Sequence, residues 1–277
     1  MHQLNNKKPL LKNYFTTLYP GLLLSFSVIF LSATPGKAQL RPREVNHQAQ
    51  FWWSLNTTAR IADKWMLVGD VHIRRNNGIR DPSFYFLRAG FGHQLLPNFN
   101  LTAGYAHMWI APSLSDWQTF VNENRLYQQA ILTQTVGKVA LLTRLRNEQR
   151  WQQIIVDDKP SGKWRFTNRV RYLLSTTIPV SKNKWVPRPV VSNELLIHFG
   201  KAVAYNVFDQ NRIFIGIRQQ VSKSLSFDFG YMNVYQQKFS GYQYDMNHTT
   251  RLFFYYNPNW TRHKLNKQIP TVHSPDE

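Results

Sequence analysis

Trp164 to Ile178 reads WRFTNRVRYLLSTTI. One parity gives Trp164, Phe166, Asn168, Val170, Tyr172, Leu174, Thr176 and Ile178; the other gives Arg165, Thr167, Arg169, Arg171, Leu173, Ser175 and Thr177. Successive side chains on a strand point to opposite faces, so this segment sets hydrocarbon against charge. Its 15 residues exceed the roughly 5–6 of a globular strand and cover the about 9–11 that a tilted membrane strand needs.

The same split recurs along the chain. Period two predicts eleven strands: 49–60, 65–75, 84–94, 99–109, 122–135, 138–151, 164–178, 185–199, 210–220, 224–237 and 246–257. Tight links such as Val136-Gly137-Lys138 and Ser222-Lys223-Ser224 alternate with longer ones at 76–83, 110–121, 152–163, 200–209 and 238–245. Long strands with short turns at one end and longer loops at the other describe a transmembrane antiparallel β-barrel. Trp53, Trp65, Trp109, Trp151, Trp164, Trp185, Tyr235 and Tyr256 suit its aromatic girdles. A soluble β-sandwich would also alternate, but its strands are shorter. Single-chain bacterial barrels have even strand numbers. The expectation is therefore twelve strands, with 40–48 supplying the missing one, and ten as the alternative.

Composition narrows the class. The 277 residues carry 34 Lys+Arg against 15 Asp+Glu, a net charge of +19, with 9 Trp and no cysteine. Thiolate chemistry and disulfides are excluded, and the apolar content is too high for a disordered basic tail. Residues 1–38 read as a signal peptide: Lys7, Lys8 and Lys12, then the apolar run Gly21 to Ala33, then Gly36-Lys37-Ala38 before Gln39. The competing reading is a membrane-anchoring helix stretched over Tyr14 to Ala33. Cleavage would leave 39–260 as the barrel and 261–277 as a polar tail, at net +15, in the cell outer membrane.

Lysine and arginine separate. Lys64, Lys138, Lys159, Lys163, Lys182, Lys184, Lys201, Lys223, Lys238, Lys264 and Lys267 fall in expected turns, loops, strand edges or tail. The polar parity of the strands holds Arg60, Arg74, Arg88, Arg125, Arg144, Arg146, Arg150, Arg165, Arg169, Arg171, Arg188, Arg212, Arg218 and Arg251, with five acids, Asp70, Glu123, Glu148, Glu194 and Asp228. Arginine facing lipid at mid-membrane costs roughly 2–4 kcal/mol, so this parity should line the lumen, most densely where 138–151 meets 164–178. Such a lumen suits an anion path, since guanidinium groups hold carboxylates and phosphates. The alternative is a packed ionic interior that plugs the barrel.

Six segments carry a family resemblance: ENRLYQQ (123–129), RLRNEQRW (144–151), RVRYLL (169–174), SNEL (192–195), QNRIFIGI (210–217) and FGYMNVYQ (229–236). With these the chain resembles an uncharacterised family of exported bacterial proteins, domain of unknown function 2490, regarded as outer-membrane β-barrels. The resemblance implies the barrel and its membrane, and no activity. The chain departs from such barrels at its end, where Tyr256 or Trp260 is followed by a polar tail.

No catalytic constellation is legible. Ser192, Glu194 and His198 share one strand, where Ser192 and His198 lie about 20 Å apart, against the roughly 3 Å of proton transfer. His72, His93, His107 and His248 sit on separate strands and read as girdle or lumen residues; no metal or cofactor is called for. Gly90-Phe91-Gly92 opens no helix and reads as relief of crowding. Asp157 and Asp158 read as a solvated loop or weak cation site. Arginines and aromatics occupy opposite faces, which disfavours nucleic acid. The expected partners are outer-membrane lipid, the barrel-assembly machinery and anionic small solutes. The leading reading is a narrow channel or binding barrel for such solutes. A closed structural or adhesion barrel and a lipid-modifying enzyme are the alternatives.

Overall fold

The computed structural model describes residues 42–261 except 113, 115, 184, 204 and 205. The signal-peptide reading of 1–38, Lys184 and nearly all of the 261–277 tail lie outside the described residues. The described chain folds into strands β1 (Glu44–Arg60), β2 (Trp65–Asn76), β3 (Asp81–Leu96), β4 (Phe99–Ile110), β5 (Val121–Val136), β6 (Val139–Val156), β7 (Lys159–Thr177), β8 (Arg188–Phe199), β9 (Phe208–Gln220), β10 (Leu225–Gln237) and β11 (Gln243–Tyr256). Each pairs antiparallel with its sequence neighbours, and β1 meets β11 to close the barrel. Among the described residues no helix is long and apolar enough to cross a membrane, which leaves strands untouched.

The expectation of twelve or ten strands is corrected to eleven. Residues 44–48 form no separate strand; they extend β1 alongside β11. Consecutive hairpins reverse direction each time, so an odd number brings first and last strands together running the same way. That seam is parallel from Glu44↔Gln243 to Thr57↔Tyr256. A parallel ladder satisfies edge N–H and C=O groups as an antiparallel one does, so parity imposes no barrier to closure. It does place the start of β1 and the end of β11 at opposite ends of the barrel.

The alternation of loop lengths is weaker than expected. The turn end carries the short connections 61–64, 97–98, 137–138 and 221–224, but also the long 178–187. The opposite, loop end carries 77–80, 111–120, 200–207 and 238–242, but also a two-residue turn at 157–158. The reason is local. Asp157 (φ 49) and Asp158 (φ 56) both adopt the left-handed conformation, which a tight hairpin turn requires. The stretch 152–163 is thus a hairpin with Ile155 opposite Pro160 and Val156 opposite Lys159. Conversely, the expected strand at 185–187 is loop, and β8 starts at Arg188.

Burial alternates along every strand. On β7, Thr167, Arg169, Arg171, Leu173 and Ser175 are buried, while Phe166, Tyr172 and Leu174 are exposed. The inner wall is crowded enough to need glycine at two points. Gly90 faces Gly104 across β3–β4, and a methyl at Gly90 would collide with the Tyr127 hydroxyl that fills the space. Gly216 faces Gly230 across β9–β10, where the Phe214 ring occupies the room a Cβ would take.

Candidate functional site

The lumen is filled from the strands inward. The bulkiest fully buried side chains are Arg144, Arg146, Arg171 and Arg251. Arg74, Arg88, Arg125, Arg169 and Arg212 are buried with them, as are Asp70, Glu123, Glu148, Glu194 and Asp228. The expected lumen residues Arg150, Arg165, Arg188 and Arg218 are half-buried.

Four of the carboxylates each serve several arginines. Glu148 accepts from Arg169 Nε at 2.8 Å and Arg171 Nη1 at 3.0 Å, with Arg125 Nη1 at 3.8 Å and Arg146 Nη1 at 3.7 Å. Glu194 accepts from Arg171 Nε at 2.8 Å and Arg212 Nη1 at 3.3 Å, and also from Arg144. Glu123 bridges Arg125 at 2.6 Å and Arg150 at 2.8 and 3.0 Å. Asp228 takes Arg218 through two bonds of 2.7 and 2.8 Å, with Arg251 and the Tyr255 hydroxyl each at 3.2 Å. Asp70 is paired with Arg88. Arg144, Arg146, Arg150, Arg169, Arg171 and Glu148 stand together where β6 and β7 adjoin.

The remaining positive charge is met by aromatic faces and neutral amides. Arg74 lies over Trp52 with its guanidinium carbon 3.2 Å from the ring centroid, and Arg251 lies 3.9 Å over Phe214. Cation–π contacts of this kind strengthen when desolvated. Arg146 donates twice to Gln129 Oε1, at 2.8 and 2.5 Å, and Arg212 twice to Gln210 Oε1, at 3.0 and 2.7 Å. Apolar clusters complete the filling: Trp52, Val190, Phe214, Met232, Val234, Phe253 and Tyr255 in one, and Ile131, Leu142 and Leu173 in another. A cavity of about 30 Å³ beside Asp70, Arg88 and Gln129 has room for about one water.

Asp209 is a sixth luminal acid that period two misses. It is buried, and Arg169 Nη1 donates to it at 3.1 Å. Leu196 pairs with Gln210 and Ile197 with Phe208, so Asp209 is the extra residue of a bulge, which re-aims a side chain. The histidines scatter. His72 is buried edge-on to Phe86 and Phe253; His93 lies against Trp65 and His107 against Trp109. His47 and His248, brought together by the parallel seam, stand 3.1 Å apart on the outer surface. Asp158 accepts the backbone N–H groups of Gln118 (3.1 Å) and Thr119 (2.7 Å), which ties the β6–β7 hairpin to the 111–120 connection. Those two N–H groups, Thr119's first, hold its carboxyl below the usual aspartate range.

This arrangement defines a closed β-barrel whose lumen is packed with shared salt bridges. The model of a family of proteins of unknown function, DUF2490, matches residues 49–246, and the chain belongs to that family. No curated protein matches the sequence.

Proposed function

We propose that the chain is an outer-membrane barrel that does its work through its outer wall and rims, its lumen being plugged by its own side chains. The filling of the lumen carries this reading. Its largest fully buried groups are guanidiniums shared among carboxylates, and parting them would strand buried charges at about 3–5 kcal/mol per broken partner. Support for the membrane comes from outward residues such as Leu67, Val71, Leu87, Phe91, Ile213, Ile215, Ile217 and Phe229, which form an exposed apolar band.

The anion-channel reading keeps one observation in its favour, the excess of inward arginines over six acids. Purified protein in planar bilayers with a salt gradient separates the two. The plugged barrel gives no unitary conductance; anion-selective steps would overturn it. Insertion is verified separately with cysteines at Glu44 and Asn257, which should label from opposite sides of the membrane.

A further inference from the structure

We propose that the outer face of β5–β7 is a docking surface for a second copy of this chain. The proposal rests on the reading that the barrel spans a membrane. Gln128, Asn147 and Gln149 belong to the outward parity, among apolar neighbours such as Leu126 and Leu145. They bond across the strands: Gln128 Nε2 to Gln149 Oε1, Gln149 Nε2 to Gln128 Oε1, and Asn147 Nδ2 to Gln128 Oε1, each at 3.1 Å. A primary amide has two N–H donors, and these bonds engage one on each residue. The second donors and the Asn147 carbonyl remain for a partner.

Depth makes that demand costly to ignore. Trp151, on the girdle, is four residues beyond Asn147 on β6, about 13 Å along the strand. The amides therefore lie within the hydrocarbon, where no water satisfies them and inter-element amide bonds act as glue. The outward parity of β5, β6 and β7 at this level carries amides and no charged side chain, so the complement is itself a set of neutral donors and acceptors. A row of amides fulfils that condition for a copy of itself, and a two-fold axis makes such a contact self-complementary. Beside the row runs a groove of about 480 Å³, floored by Ala103 and Ala130 and walled by Trp65, Phe91, Leu101 and Leu145. It offers the shape to receive a projecting apolar side chain of the partner. On the opposite wall Ile213, Ile215, Ile217 and Phe229 present hydrocarbon, and the outward amides beside Ile213 are a single pair, Asn193 donating to Asn211 Oδ1 at 3.2 Å, and Asn233, which donates to Met246.

The chain has no cysteine, so a single engineered one reports contacts cleanly. In the full-length protein reconstituted in lipid vesicles, Asn147→Cys should form a disulfide-linked dimer under mild oxidation, and Ile215→Cys should not. Mass measurement in nanodiscs should find the natural protein dimeric and the Gln128→Leu/Asn147→Leu/Gln149→Leu variant monomeric. Should that variant not fold, the cysteine pair decides alone. A monomeric natural protein, equal crosslinking of both cysteines, or a lipid retained by monomers in place of a second copy would each overturn the proposal. Failure of the membrane reading looks different: Ile215→Cys would then react with a water-soluble maleimide.

Discussion

The two walls of the barrel both turn charge inward, but they fill the lumen in different proportions. The wall of β5–β8 turns its charge inward, with Glu123, Glu148 and Glu194 holding Arg125, Arg144, Arg150, Arg169 and Arg171 and reaching Arg212 of β9, and carries neutral amides among apolar residues outside. The wall of β9–β11 and β1 turns aromatics inward, Trp52, Phe214, Phe253 and Tyr255, and carries isoleucine and phenylalanine outside. The first wall is held mainly by geometry-dependent hydrogen bonds; the second adds contact area and cation–π faces to its own network of Asp228 with Arg218, Arg251 and Tyr255. They should fail differently under substitution.

The largest expected effect is on the charged wall. Glu148→Leu removes the acceptor shared by Arg169 and Arg171 and leaves buried guanidiniums uncompensated, at about 3–5 kcal/mol. Urea unfolding from vesicles should show it, and an unchanged midpoint would mean that the lumen is hydrated. On the aromatic wall, Phe214→Ala opens a cavity and withdraws the ring under Arg251, for about 3 kcal/mol. Ile215→Arg on the outer surface of that same wall tests the hydrocarbon contact. It should cost about 2–3 kcal/mol in vesicles and almost nothing if the wall faces water.

The smallest effect is at the rim of the charged wall. Asp158 has its pKa depressed in the folded state by the Thr119 and Gln118 N–H groups. Its contribution is therefore present above the unfolded aspartate value and lost as pH falls through the lower folded one. The Gln118 and Thr119 amide resonances should hold steady through neutral and mildly acidic pH and shift only below the ordinary aspartate range. Asp158→Asn should shift them at every pH. A transition near neutrality would show that another group ties the loop.

Much of this was legible in the chain. Alternation marked eleven strand segments, against the expectation of twelve strands, and their inward face, because each residue of an extended, pleated backbone turns its side chain to the opposite face from the one before it, whatever the neighbours. Asn168 already stood on the hydrocarbon parity of WRFTNRVRYLLSTTI, an early sign of the amides on the outer face of β5–β7. Asp209 left no such sign, since a bulge shifts parity without changing composition.

The sequence by itself determined that long two-faced strands must close on a charged interior, because period two and strand length are local properties. Only the tertiary structure decided that eleven strands close through a parallel seam, that His47 meets His248, and that the arginines share six carboxylates in a filled lumen. Those outcomes depend on which strands meet and at what stagger. Pairing register is fixed by the whole ring of strands at once and by no single segment of it.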